Sequence, residues 1–175
     1  MTLVYFDTSV FLALLGGSAA EGPAIRTLLH ELKQDRVRIY TSIITVQEVS
    51  VLSFRRGSLF ADNHVKVAKL ARFVGITKEI ALTAAKYEAV VVEAGKKSGD
   101  KTEDNRRRKW DCFHMATAVA LSCRTLYALD NQFETKRTQL DLESVLTVSR
   151  PAPKKPPLVP RLSRISIHRR ISEWH

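Results

Sequence analysis

The sequence predicts an α/β fold in which helices cover a mainly parallel sheet of about five strands. Two observations carry this prediction. Short apolar segments alternate with longer segments of helical periodicity along residues 2–149, and a helix separates each predicted strand from the next. Parallel neighbours need such crossover connections, whereas antiparallel strands can be joined by a tight turn. The expected architecture is therefore a three-layer α/β/α sandwich.

The first half of the chain contains three predicted strands. TLVYF at 2–6 is apolar and ends at Asp7, and residues 9–15 after it are apolar at helical spacing. Pro23 suits the first turn of a second helix, which extends to about Gln34. The remaining predicted elements of this half are a strand at 37–42, helices at 45–56 and 59–72, and a strand at 73–77.

The second half continues the alternation after one interruption. Residues 78–95 are helical by propensity, but the charged segment KKSGDKTEDNRRRK at 96–109 predicts a mobile surface loop. Helical spacing returns at 110–123. The last predicted elements are a strand at 126–129, a short helix from about Asn131 and a strand at 144–149.

The composition divides the chain into a body, residues 1–149, and a basic tail, residues 150–175. Five of the six prolines lie between 151 and 160, which favours an extended spacer, and RLSRISIHRRISEWH after it fits one basic amphipathic helix. The chain carries a net charge of +10, of which the tail holds +6, so a polyanionic partner is favoured over a neutral metabolite. Nucleic-acid contact, docking on a partner and disorder all stay open for the tail.

Neither a membrane span nor a disulfide is predicted. No apolar run approaches the roughly 20 residues that cross a bilayer, and the N-terminus does not resemble a signal peptide. Cys112 and Cys123 fall on one predicted helix about 16 Å apart at ~1.5 Å rise per residue, which is too far for a bridge. No Cys/His cluster has the spacing of a zinc site. A cytoplasmic protein is expected.

Acidic residues mark the ends of the predicted strands. Asp7 follows the first strand, Asp130 follows the fourth, and Glu48 lies in the first turn of the helix after the second. Asp111 opens the helix before the fourth strand. Because ligands bind beyond the carboxyl ends of parallel strands, these four acids are expected near one rim of the sheet.

Each acid also has a purely structural interpretation. Asp7 and Asp130 suit helix N-caps, Thr45 and Glu48 fit a T-x-x-E capping box, and Asp111 suits a helix dipole. Four carboxylates about 5 Å apart would, however, repel by about 3 kcal/mol per pair at an effective dielectric of 20, and would protonate or recruit a cation. Oxygen ligands favour Mg²⁺ or Mn²⁺, which suits phosphodiester hydrolysis.

The order and spacing of four motifs resemble the PIN-domain family of ribonucleases, especially its VapC-like toxins. The motifs are FDTSV at 6–10, the T-x-x-E pattern at 45–48, WDCFHMATAVAL at 110–121 and LDNQF at 129–133. The resemblance covers residues 2 to about 149. It implies a PIN-like fold and a Mg²⁺- or Mn²⁺-dependent ribonuclease, held inactive by a small antitoxin and commonly a homodimer.

The resemblance also assigns roles to residues. It implies that Asp7, Glu48, Asp111 and Asp130 hold the metal, and that the hydroxyl of Ser9 helps to arrange the site. The family often has Thr two residues before its fourth acid, where this chain has Ala128, so Asn131 is an alternative to Asp130.

Two further features have both a functional and a structural interpretation. His114, one turn after Asp111, is either a general base or an ordinary structural histidine. The basic run 106–109 either contacts phosphates or forms a solvated loop.

Two other functions stay open at this point. A haloacid-dehalogenase-like phosphohydrolase also begins with Asp after an apolar strand, but it needs a second Asp two residues later, where this chain has Ser9. A non-catalytic PIN-like module for RNA or protein binding would keep the fold without the cutting. The presence of all four acids favours the enzyme.

Overall fold

The structure is a computed structural model that describes residues 2–55, 62–98 and 105–152. Its five strands are β1 (Leu3–Phe6), β2 (Arg38–Ser42), β3 (Arg72–Val74), β4 (Thr125–Tyr127) and β5 (Thr147–Ser149). The helices of these residues are α1 (Thr8–Leu15), α2 (Gly22–Gln34), α3 (Ile44–Arg55), α4 (Asp62–Ala68), α5 (Lys78–Ser98), α6 (Asn105–Ala120) and α7 (Gln132–Gln139).

The five strands form one sheet in the order β3-β2-β1-β4-β5, and every neighbouring pair is parallel. Tyr5 in β1 is in register with Tyr40 of β2 on one side and Leu126 of β4 on the other. The chain moves outward from β1 through β2 to β3, and then returns to the other side of β1 for β4. The connections therefore diverge between β1 and β4, which opens a crevice at the carboxyl ends of these two strands.

Helices cover both faces of the sheet. Val4 and Phe6 of β1 pack on one face against α1, α2 and α3, while Tyr5 packs on the other face against α6 and α7. A strand buried on both faces needs apolar residues at every position, which explains the unbroken LVYF run. The predicted three-layer α/β fold with a parallel sheet of five strands is confirmed.

The predicted loop at 96–109 is wrong at both ends. Residues 96–98 belong to α5 and residues 105–109 to α6; residues 99–104 lie outside the described residues. Lys and Arg are good helix formers, and Arg108 faces α5, where its Nη2 lies 3.8 Å from Glu88 Oε1. Asp111 therefore lies in the second turn of α6 and does not open that helix.

Other boundaries shift by a few residues. The helix predicted at 59–72 is observed at Asp62–Ala68, with residues 59–61 outside the described residues. The last strand begins at Thr147 instead of residue 144, because residues 143–145 form a turn. The predicted tail falls outside the described residues from 153 onward.

Two negative predictions concern the described part of the chain. Cys112 and Cys123 are both buried and form no disulfide, but Cys123 lies beyond the end of α6 and not on one helix with Cys112. Among the helices of residues 2–55, 62–98 and 105–152, no helix combines the length and apolarity needed to cross a bilayer.

Candidate active site

The crevice at the carboxyl ends of β1 and β4 is a cleft that contains all four predicted acids. Its lining residues are Asp7, Thr8, Ser9, Leu12, Glu48, Arg107, Trp110, Asp111, His114, Asp130 and Phe133. The acids come from four separate places in the chain: the β1–α1 junction, α3, α6 and the segment between β4 and α7. The fold therefore brings together side chains that are far apart in sequence.

Asp7 is fixed at the end of the central strand. Its side chain is buried and acts as the N-cap of α1, where Oδ2 accepts a hydrogen bond of 2.9 Å from the backbone N–H of Ser9. The Ser9 hydroxyl oxygen accepts a hydrogen bond of 3.0 Å from the backbone N–H of Leu129. The N-cap interpretation of Asp7 is thus correct, and Ser9 joins α1 to the segment after β4.

Glu48 projects from α3 into the cleft. Its Oε2 accepts a hydrogen bond of 2.5 Å from Thr8 Oγ1 and one of 3.4 Å from His114 Nε2. Burial raises the pKa of Glu48, but the hydrogen bonds from His114 and Thr8 outweigh it and the pKa is lowered. The carboxyl group is consequently held in its ionised form.

The capping-box interpretation of the T-x-x-E pattern is wrong. α3 already begins at Ile44, so Thr45 does not stand at its N-cap. The buried Thr45 hydroxyl lies 2.7 Å from Thr41 Oγ1 and 2.9 Å from Thr8 Oγ1. A row of three threonine hydroxyls therefore leads to Glu48 beneath the cleft.

Asp111 is paired with a buried lysine that the sequence analysis missed. Lys136 Nζ donates a hydrogen bond of 3.0 Å to Asp111 Oδ2, although the lysine side chain is only 1% exposed. Burial raises the pKa of Asp111 to about 6 despite the opposing charge of Lys136. The available signal is spacing: Lys136 follows the buried Phe133 by three residues, which places both on one face of α7.

Asp130 lies at the rim of the cleft. Its Oδ2 is 2.5 Å from Arg107 Nη2, and its Oδ1 accepts a hydrogen bond of 3.0 Å from the backbone N–H of Gln132. The Arg107 side chain is 63% exposed, so it can move away from Asp130 without leaving a packed environment. The structure places Asp130 in the cleft, whereas Asn131 stands at the exposed start of α7.

His114 lies beneath the carboxylates. Its ring is 1% exposed, its Nδ1 is 2.7 Å from the Tyr5 hydroxyl oxygen, and its Nε2 is 3.6 Å from Asp7 Oδ1 and 3.4 Å from Glu48 Oε2. Burial lowers the pKa of His114, but the neighbouring carboxylates outweigh it and the pKa is raised. The ring is thus neither a solvent-facing side chain nor a base directed at the opening of the cleft.

The side chains of the cleft offer the kind of ligand atoms that a divalent cation binds. Four carboxylates supply the oxygen ligands that Mg²⁺ and Mn²⁺ prefer. Within residues 2–55, 62–98 and 105–152, however, no three His, Cys, Asp or Glu side chains already form a coordination cage. The carboxylates are instead engaged by Lys136, Arg107, His114 and Thr8. Binding of a cation therefore requires the carboxylates to move closer to one another.

Together the parallel sheet and the acidic cleft at its switch point define the class of protein. A model of the PIN domain matches residues 4–138. Because this match covers more than half of the chain, the protein belongs to the PIN-domain family. Comparison with curated protein sequences gave no significant match. The family assignment leaves the haloacid-dehalogenase-like alternative without support.

Solved structures show the same fold at low sequence identity. VapBC-1 from nontypeable Haemophilus influenzae is 16% identical with a TM-score of 0.55, covering 85% of this chain and 98% of its own. VapC20 from Mycobacterium tuberculosis, described as a sarcin-ricin loop cleaving toxin, is 18% identical with a TM-score of 0.54, covering 75% and 93%. VapBC2 from Rickettsia felis, bound to a promoter DNA fragment, is 12% identical with a TM-score of 0.56, covering 85% and 98%.

The ion pair between Lys136 and Asp111 yields a testable prediction for stability. Replacing Lys136 with Met keeps most of the side-chain volume but leaves a buried carboxylate without its cation. We expect the free energy of unfolding to fall by about 3 kcal/mol, because breaking one side of a buried ion pair is costly. Urea unfolding in EDTA at pH 8, where Asp111 is ionised, measures this loss.

Two further variants make the result specific. Lys33→Met, at an exposed position of α2, is the matched control and should change stability by no more than about 0.5 kcal/mol. The double variant Lys136→Met/Asp111→Asn should be more stable than Lys136→Met, since it no longer buries an unpaired charge. If Lys136→Met were as stable as Lys33→Met, the pair would have no structural importance.

Proposed function

We propose that this protein is a divalent-metal-dependent ribonuclease that hydrolyses RNA phosphodiester bonds in the cytoplasm and is the toxin of a toxin–antitoxin pair. One observation carries the proposal: in a PIN-domain fold, four acidic side chains from four parts of the chain line a single cleft. A purely structural N-cap or dipole role for each acid would not require them to meet.

Asp7, Glu48, Asp111 and Asp130 are the residues that would hold Mg²⁺ or Mn²⁺. When bound, the cation would lower the pKa of an attacking water and neutralise charge on the phosphate. Such a reaction forms no covalent intermediate with the protein.

The protein's own groups hold the acids in position. The backbone N–H of Ser9 fixes one oxygen of Asp7, and the buried Lys136 fixes one oxygen of Asp111. Trp110 also lines the cleft, where an aromatic ring offers a stacking surface for an unpaired base.

The charge of the protein favours a polyanionic substrate such as RNA. The net charge is +10, and Arg107 lies at the rim of the acidic cleft. Once it leaves Asp130, its guanidinium is placed to bind a phosphate next to the scissile bond. Arg108 does not share this role, because it is mostly buried and pairs with Glu88.

We propose two protein partners. One is a small antitoxin, and the other is a second copy of this chain in a homodimer. The solved structures of similar fold include toxin–antitoxin complexes. In this chain, Val51, Phe54 and Val65 of the neighbouring helices α3 and α4 expose 41%, 59% and 46% of their surface. Apolar side chains exposed on neighbouring helices support a docking surface for the antitoxin.

The metal-dependent cleavage of RNA is directly testable. Purified protein incubated with single-stranded RNA and Mg²⁺ or Mn²⁺ should release fragments, and EDTA should abolish the release. Asp7→Asn should reduce the cleavage rate by at least about 100-fold, because the variant loses a carboxylate that stabilises transition-state charge through the metal.

Asp35→Asn, at the exposed C-cap of α2, is the matched control and should cleave at the wild-type rate. A DNA strand of the same sequence tests the preference for RNA. Cleavage that persists in EDTA contradicts the metal mechanism. Tight RNA binding without any cleavage in Mg²⁺ or Mn²⁺ supports the non-catalytic module instead.

The raised pKa of Asp111 predicts how metal binding depends on pH. Its pKa is about 6, so below this pH the carboxyl group carries a proton that competes with the cation. We expect the affinity for Mn²⁺ to fall as the pH is lowered through about 6. Calorimetric titrations with Mn²⁺ between pH 5 and 8 measure this dependence. An affinity that stays constant down to about pH 4.5, as for ordinary carboxyl groups, would contradict the expectation.

The role of Arg107 is testable through the salt dependence of RNA binding. Arg107→Ala should weaken RNA affinity and lower the slope of log K against log [salt] by about one, because one phosphate contact is lost. Arg38→Ala, at the opposite end of the sheet, removes the same charge away from the cleft and should leave the slope unchanged. Binding to an uncleaved RNA in EDTA, measured by fluorescence anisotropy, separates this effect from catalysis. Equal slopes for the two variants would rule out the phosphate contact.

A further inference from the structure

His114 and Tyr5 form a buried polar pair directly beneath two of the cleft carboxylates. Tyr5 is 0% exposed and His114 is 1% exposed, so neither polar group is satisfied by solvent. Burying such groups is costly unless each finds a hydrogen-bond partner. Their partners are on other elements: the Tyr5 hydroxyl oxygen is 2.8 Å from the backbone N–H of Ser42 and 2.7 Å from His114 Nδ1.

The contacts of this pair favour one arrangement of protons on the His114 ring. The backbone N–H of Ser42 can only donate, so the Tyr5 oxygen accepts from it, and its own O–H is available for donation to His114 Nδ1. A neutral imidazole that accepts at Nδ1 must carry its proton at Nε2. A charged imidazolium carries protons on both nitrogens. In either case Nε2 presents an N–H.

That N–H is directed at the carboxylates. Nε2 lies 3.4 Å from Glu48 Oε2, a long hydrogen bond, and 3.6 Å from Asp7 Oδ1, an electrostatic contact. The opposite tautomer would turn a bare nitrogen lone pair toward two negatively charged oxygens, which is repulsive. The ring therefore donates toward both carboxylates from the buried side.

We propose that His114 is a positioning residue whose Nε2–H holds the Glu48 and Asp7 carboxylates in place for a divalent cation, and that the Tyr5 hydroxyl fixes the orientation of its ring. The proposal rests on the proposed metal-dependent function. It differs from a general-base role, because the nitrogen that would accept a proton from substrate already faces protein carboxylates. It also differs from a purely structural role, because removal of the ring changes the affinity of the site for metal.

The threonine row makes a separate contribution to Glu48. Thr8 Oγ1 donates to the same Oε2 atom at 2.5 Å. It also lies 2.9 Å from Thr45 Oγ1, which in turn lies 2.7 Å from Thr41 Oγ1. This row fixes Glu48 from the start of α1 through Thr8, while His114 is the link between Glu48 and Asp7. Loss of His114 should therefore weaken metal binding while leaving Glu48 in the cleft.

The test measures Mn²⁺ affinity by calorimetry for the wild-type chain and for His114→Ala, with His30→Ala, an exposed histidine of α2, as the matched control. Loss of a group that orients metal ligands typically costs 10- to 100-fold in affinity, so the Kd of His114→Ala should rise by about that factor. His114→Gln keeps an N–H donor on a side chain of similar reach and should recover part of the loss. His30→Ala should match the wild type. Thermal unfolding in EDTA identifies the variants that remain folded.

Tyr5→Phe keeps the ring and removes only the hydroxyl, so it remains informative if His114→Ala does not fold. We expect a smaller rise in Kd, about 3- to 10-fold, because Tyr5 acts on the carboxylates only through the His114 ring. Two-bond ¹H–¹⁵N correlation spectra of the wild-type histidines, which need no variant, should show a proton on Nε2 of His114.

The outcomes separate the two proposals. If wild-type protein binds no Mn²⁺, the proposed function itself fails. If it does bind Mn²⁺ and folded His114→Ala and Tyr5→Phe bind it equally well, only the positioning role is overturned. A neutral His114 ring protonated solely at Nδ1 would also overturn it.

Discussion

The crowding of negative charge at the carboxyl ends of β1 and β4 is the constraint on which the cleft depends. Two carboxylates about 5 Å apart repel by about 3 kcal/mol at an effective dielectric of 20, and burial increases that cost. The protein meets this cost with its own donors. Asp111 is paired with Lys136, Asp130 is paired with Arg107, and the remaining two acids share the N–H of His114. These contacts allow the cleft to remain acidic without destabilising the fold.

These compensating groups differ in how firmly they are held. Lys136 and His114 are each 1% exposed and packed between elements, so they belong to the permanent framework of the cleft. Arg107 is mostly exposed and can leave Asp130 at little cost. The rim is thus the part of the cleft that can respond to a cation or a phosphate, while the deeper contacts keep the acids aligned.

The fold and the positions of the acids could largely be predicted from the sequence. The unbroken apolar run before Asp7 and the strand before Asp130 place both acids at the ends of buried strands, and parallel strands bring such ends to one edge. The position of Glu48 could be predicted from the start of the helix that follows β2. These signals are local, because each depends on a few neighbouring residues.

The compensating groups could not be predicted in the same way. Tyr5 and His114 are 109 positions apart in sequence, and their contact depends on how α6 crosses the sheet. Lys136 lies in a charged stretch that resembles a solvated surface, and only the orientation of α7 directs it inward. The charged residues 96–98 and 105–109 resemble a loop in sequence, because the helical character of 105–109 depends partly on packing against α5. Long-range packing determines all three features.

The most direct measurement of the central claim is a crystal structure of the protein grown with Mn²⁺, with the metal located by its anomalous scattering. The account predicts an anomalous peak inside the cleft, coordinated by oxygens of Asp7 and at least two of Glu48, Asp111 and Asp130. A fully occupied Mn²⁺ site elsewhere on the protein, with the cleft acids still in contact with Lys136, Arg107 and His114 and without metal, would contradict it.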